Sequence, residues 1–310
     1  MDHLAPVSVA VGVAAGLASG GLNAVAFLIS RHHATTRPGG GPRLLVMAHV
    51  VMGLACLPLA AVFWPAGGVD AARILPSLAG TIACYLCGQA AVLAALRRAD
   101  ASRVVPLLGL KIVALALLVT LLLGRPLTGR QWVAVAITVI AAALLRGRRD
   151  PVPAAVLGLA IVACLGFAGA DLLIVGLIDA LHAAGGGRSR LGASCLAMTC
   201  TYVCCGALAA ALLPATPARR PGDWRAAATY GAVWLGGMVG LYACFGLLGP
   251  VVGNVLQSSR GVLAVVFGAA LAQAGWHELE QRVDRATFVR RVAAALLMTA
   301  AIAVSVLDVA

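Results

Sequence analysis

Apolar stretches long enough to cross a bilayer recur along the whole chain, separated by short gaps rich in Arg, Gly or Pro. They predict helices near residues 5–30, 44–64, 74–96, 103–123 and 130–146, then near 153–178, 192–213, 226–248, 251–273 and 290–307. Marked hydrophilic stretches are confined to 31–43, 146–152, 215–225 and 276–291. A helix crossing the hydrocarbon core needs roughly 20 apolar residues, so the pattern reads as an all-α integral membrane protein with about ten transmembrane helices. Residues 1–30 hold no Lys or Arg, which a cleaved signal would carry at its start, so the first run is expected to stay as helix one.

Composition agrees with lipid as the solvent. The 310 residues are 62% hydrophobic and only 11% charged, with a mean hydropathy of +0.99, too few charges to clothe a water-facing surface of that size. The net charge of +12 would point to nucleic acid in a water-soluble protein, but here the Arg residues sit mostly in the gaps, where they act as topology signals, and no nucleic-acid partner is expected. The expected location is a cell membrane, a bacterial inner membrane in particular. The nine cysteines lie almost wholly inside apolar runs, where Cys behaves as a small hydrophobe. Cys84-Tyr-Leu-Cys87 has CxxC spacing but no nearby His or second pair, so neither metal nor cofactor is expected. His3, His32, His33, His182 and His277 fall outside the runs and His49 near the start of the second. That leaves Asp171 without a partner acid or base, and the chain does not read as an enzyme.

The two sets of five runs repeat each other. An offset of 149 residues lays Tyr85 on Trp234, Gly88 on Gly237, Ala94 on Ala243, Leu107 on Leu256 and Lys111 on Arg260. An offset of 148 lays Gly21 on Gly169 and Asn23 on Asp171, while helices five and ten match only after the extra Glu278–Arg291 loop. Residues 1–149 and 150–310 therefore read as two five-helix halves. Five is an odd number, so the halves insert in opposite orientations, the inverted-repeat plan of many secondary transporters, with a shared site near mid-membrane.

The run LRRADASRVVPLLGLKIVALALLVTLLLGRPLTGRQWVAVAITVIAAALL (96–145) resembles the second part of an EamA-type repeat of the drug/metabolite transporter superfamily, and GNVLQSSRGVLAVVFGAALAQAGWHELE (253–280) resembles the same element of a second repeat. The chain departs from the family where a Leu-Gly-Glu turn is usual, since Arg125 follows Leu123 and Gly124. The resemblance implies ten helices in two inverted repeats around a cavity lined by helices 1, 3, 4, 6, 8 and 9. Triose-phosphate translocators of the same superfamily place cations on the fourth and ninth helices to hold phosphate. Orientation is set differently by two arguments. Odd-numbered loops hold sixteen Lys and Arg against five in even-numbered loops, which puts both termini outside, whereas the family has both inside.

Lys111 and Arg260 each fall well inside an apolar run, where an isolated cation costs about 2.5–3.5 kcal/mol, so both are expected to face a cavity. The competing expectation is snorkelling or an ion pair with Asp171, the one acid clearly within a run. Two cations against one acid favour a ligand bearing a carboxylate or phosphate. Asp171 is a candidate for proton coupling, and a counter-substrate is the other candidate coupling partner. Gln89 and Gln257 lead the uncharged polar candidates, followed by Asn23, Asn254, Ser258 and Ser259, with Tyr85 and Trp234 as cavity-wall aromatics. Gly12, Gly16 and Gly20, like Gly236 and Gly240, form small-residue faces for close helix packing. The expected function is alternating-access transport of an anionic or zwitterionic small metabolite (an amino acid, organic acid or phosphorylated acid) by a monomer or homodimer. The alternatives are an exporter of cationic or lipophilic compounds working through Asp171, or a channel-like or structural membrane protein.

Overall fold

The computed structural model describes residues 6–36, 40–96, 98, 104, 107–122, 124, 126–146, 153–185, 189–216, 220–260, 262–263, 266–267 and 285–306. His3, Arg125, His277, the 147–152 connection and most of the predicted ninth helix beyond Arg260 lie outside the described residues.

All regular structure among the described residues is helical: α1 (Pro6–Thr36), α2 (Gly40–Phe63), α3 (Ala71–Leu96), α4 (Lys111–Leu122, entered through a 3-10 turn at Leu108–Leu110), α5 (Gly129–Arg146), α6 (Ala154–Ala183), α7 (Arg190–Leu212), α8 (Asp223–Ser258) and α9 (Arg285–Val306). Uninterrupted Ala, Leu and Val runs propagate these helices, and local chemistry ends them. Thr128 and Gln131 form a capping box at α5, the Thr128 Oγ1 accepting from Gln131 N at 3.2 Å and Thr128 N donating to Gln131 Oε1 at 3.3 Å. Ser189 caps α7 by accepting from Gly192 N at 3.1 Å, and Gly185 closes α6 with a φ of 76° that favours glycine.

Among the described residues, six helices are long and apolar enough to cross a membrane: α1, α2, α3, α6, α7 and α8, with shorter apolar helices in α4, α5 and α9. The surface is inverted relative to a water-soluble protein. Val62 and Leu121 are 74% and 76% exposed, while Asn23, Arg43, Lys111, Asp171, Asp223 and Gln257 are buried. This is a helical membrane protein.

Two predicted boundaries differ. The 31–43 stretch, read as hydrophilic, is largely helix, because Arg43 is buried against Asp223 with Nε 3.3 Å from Oδ2, and His33 lies 3.9 Å from Oδ1 of the same carboxylate. Paired charge lets α1 and α2 run further than their hydropathy indicates. The predicted eighth and ninth helices follow one another within α8, whose 36 residues would reach about 54 Å if unbroken, well beyond a hydrocarbon core of about 30 Å. The break is Gly249, at φ 80° and ψ 170°, followed by Pro250. Pro250 has no N–H for the Gly246 carbonyl, and Arg190 Nε donates to that carbonyl instead while its Nη2 reaches Asp179 Oδ1 at 2.7 Å. Only glycine adopts the Gly249 conformation at low cost, so Gly249→Ala is expected to destabilise the protein by about 1–3 kcal/mol, read as a lowered melting temperature in detergent.

The main helix pairings are α1 with α8, α3 with α6, α2 with α7, and α5 with α9. Glycines set their closeness. The Gly12–Gly16–Gly20 face of α1 lies on Leu248, Leu256 and Ser259 of α8, Gly88 of α3 faces Gly166 and Phe167 of α6, and Gly53 of α2 meets Gly206 of α7 backbone to backbone.

Candidate functional site

The first polar cluster joins α4, α6 and the part of α8 beyond its break. Lys111 opens α4 and points Nζ at Asp171 Oδ2 on α6, 2.7 Å away, with both side chains almost fully buried. Asn254 Nδ2 donates to the same Asp171 oxygen at 2.8 Å and to the Pro250 carbonyl at 2.8 Å, so the helix break and the ion pair share one amide. Of the two expectations for Lys111, the structure realises the ion pair. Arg260 lies near enough to act electrostatically on Lys111 and Asp171, but makes no ion pair with any described residue, and its guanidinium rests 5.9 Å from the Phe27 ring centroid.

A second cluster spans α1, α2, α3, α7 and α8. Phe27 meets Trp234 edge to face at 6.0 Å, and the Trp234 indole N–H donates to the Tyr202 hydroxyl at 2.8 Å. Tyr202 stacks on His49 at 6.2 Å, His49 Nε2 is 2.9 Å from the Tyr85 hydroxyl, and Gln89 Nε2 donates to that hydroxyl at 3.3 Å. Arg260, Phe27, Trp234, Tyr202, His49, Tyr85 and Gln89 thus form a continuous chain of contacts from the charged cluster through the helix interior.

The predicted site residues therefore fall into two connected groups. Lys111, Asp171 and Arg260 form one, with Gln257 buried on the turn before Arg260; Tyr85, Gln89 and Trp234 belong to the other. Asn23 lies between them, donating to Ser19 Oγ at 3.3 Å and packing its amide on Gly237, while its buried Oδ1 has no hydrogen-bond partner among the described residues. Its helix runs beside Gln257, Ser259 and Arg260, which surround Gly20. His49 and Tyr202 were not singled out from the sequence. His49 offered only one signal, a titratable residue in an otherwise apolar run, and Tyr202 offered none. An open recess of about 640 Å³ lined by Pro42, Ala90, Leu93, Ala94 and Arg98 lies beside α3.

No family model matches the chain, and no curated protein matches it. One solved crystal structure of a protein is similar over 97% of both chains, with 19% identity and a TM-score of 0.65. At that identity the likeness concerns the fold alone, which the two chains share over almost their full length.

Proposed function

We propose that the chain is a secondary transporter of a small anionic or zwitterionic metabolite in the cell membrane, built as two inverted five-helix repeats, 1–149 and 150–310, of the EamA type. The helix pairings support the repeat. A two-fold axis in the membrane plane that exchanges the halves maps the pair α1 and α8 onto the pair of α6 and α3, and maps α2 with α7 and α5 with α9 onto themselves. The break at Gly249 divides α8 where the repeat offset lays it on the 97–103 linker, which supports a reading as ten spans.

The observation that carries the substrate class is Arg260. Asp171 is engaged by Lys111, which leaves the Arg260 guanidinium among apolar helices without a carboxylate of its own among the described residues. A charge in such surroundings is stabilised by an opposite charge, and an incoming carboxylate or phosphate supplies it. Asn23 Oδ1, buried without a donor, suits the ammonium of a zwitterion. Rocking of one repeat against the other would expose the site to alternate sides. No enzyme chemistry is proposed.

The test is thermal stabilisation of the purified protein by a panel of anionic, zwitterionic and cationic metabolites, since a ligand at 100 times its Kd adds about 2.7 kcal/mol to stability. The expected result is a raised melting temperature with carboxylate or phosphate ligands, lost in Arg260→Gln and Lys111→Gln. Truncating one partner of a buried charge pair costs about 2–5 kcal/mol, so binding should weaken at least tenfold. Stabilisation by lipophilic cations alone, unchanged in Arg260→Gln, would overturn the reading in favour of export through Asp171.

A further inference from the structure

His49 sits 4% exposed in the middle of α2, and its hydrogen bonds define a direction. Its Nδ1 lies 2.8 Å from the Leu45 carbonyl, which can only accept, so Nδ1 carries the hydrogen. In the neutral ring, Nε2 is then a bare acceptor, and the Tyr85 hydroxyl 2.9 Å away donates to it. The oxygen of that hydroxyl accepts from Gln89 Nε2 at 3.3 Å. The chain of donation runs one way, from Gln89 to Tyr85 to His49 to Leu45.

We propose that His49 Nε2 is a proton-binding site whose occupancy sets the orientation of the Gln89 amide, and through it the coupling of transport to protons. The coupling role rests on the transport reading above. When a hydronium ion delivers its proton to Nε2 and leaves as water, Nε2–H becomes a donor toward the Tyr85 oxygen. Tyr85 keeps its own hydrogen but turns it away from His49. The Tyr85 hydrogen now needs an acceptor, and Gln89 Oε1, presented by rotation of the amide, provides it, with the Tyr202 oxygen as the competing acceptor. One proton taken up at α2 thereby reverses the amide on α3, at a residue that is a candidate substrate contact.

The groups around His49 decide what such a proton meets. His49 contacts Tyr85 on α3 and Tyr202 on α7, with Cys205 and Tyr230 near Tyr85 and Trp234 bonded to Tyr202; no ion pair among the described residues includes His49. A proton added there finds no counter-charge in direct contact among the described residues, so its burial is costly, and the Tyr85 oxygen at 2.9 Å and the Tyr202 ring stacked at 6.2 Å are what stabilise the imidazolium. Asp171, the other candidate for a coupling proton, already shares one oxygen between Lys111 and Asn254.

The experiment is nitrogen NMR of the full chain in lipid nanodiscs, labelled at His and Gln side chains, titrated from about pH 8 to pH 5 across the ordinary imidazole range. His49 is assigned by the signal lost in His49→Gln, or, should that variant fail to fold, by the signal moved in Tyr85→Phe. The expected result is that His49 Nε2 passes from the unprotonated to the protonated position and that the Gln89 amide shifts with the same midpoint. In Tyr85→Phe, His49 should still titrate while Gln89 no longer follows. A His49 that stays unprotonated throughout, or a Gln89 amide that does not move as His49 titrates, would overturn the proposal. The spectra need no substrate, so their failure leaves the transport reading intact, just as a silent metabolite panel leaves the proton site intact.

Discussion

Lys111→Met and Asp171→Leu should each lower the melting temperature sharply, and the double variant should regain most of the loss. Each single change strands one buried charge, and breaking a buried pair this way costs about 3–5 kcal/mol, whereas replacing both partners with apolar residues of similar volume is often neutral or stabilising. The pair is well placed for the comparison, since Lys111 Nζ and Asp171 Oδ2 are 2.7 Å apart and both side chains are buried. The double variant keeps the Asn254 donation to the Pro250 carbonyl at 2.8 Å but strands the N–H that Asp171 accepted, so the recovery should fall short of complete. Thermal unfolding of the four proteins in one detergent measures the cycle. A double variant no more stable than the weaker single would mean that Asp171 serves something other than Lys111. The same double variant should no longer be stabilised by anionic ligands, which separates folding from binding.

The second large effect is expected at the contact of α2 with α7. A Cβ built on Gly206 would lie 2.7 Å from the Gly53 Cα and 2.9 Å from the His49 carbonyl oxygen, both of them backbone atoms that cannot swing aside. Gly206→Leu must therefore push the two helices apart, and overpacking of this kind costs about 1–3 kcal/mol or more. Gly206→Ala should cost less in the same direction. Because Gly206 lies over the His49 backbone, the leucine variant should also disturb the His49–Tyr85 hydrogen bond, visible as a changed His49 nitrogen signal. An unchanged melting temperature would show that α2 and α7 do not approach as closely as described.

The helical, lipid-facing character of the chain was legible because it depends on local runs, and a run of Val and Leu long enough to cross a bilayer has few other solutions. Boundaries were harder wherever a distant residue changed the local cost. Arg43 looked like loop until Asp223, from the start of α8, accounted for its burial. Positions of candidate site residues were legible as polar interruptions of apolar runs, which is how Lys111, Asp171, Arg260 and Gln89 were found. Their partnerships were not, since Lys111 with Asp171, or His49 with Tyr85, are pairings between helices far apart in sequence. His49 was passed over because a single histidine near a run's edge carries no periodicity. Only the helix packed against it reveals which ring nitrogen is left to accept.

Arg190 ties the break in α8 to α7. Replacing Pro250 alone would not return the Gly246 carbonyl to its own helix, because Gly249 at φ 80° and ψ 170° turns the following N–H away from it, so Arg190 remains its donor. Loss of Arg190 would strand that carbonyl in an apolar setting. The bend at Gly249 and the seating of α7 on α8 therefore depend on one side chain, and a change in either helix is felt in both.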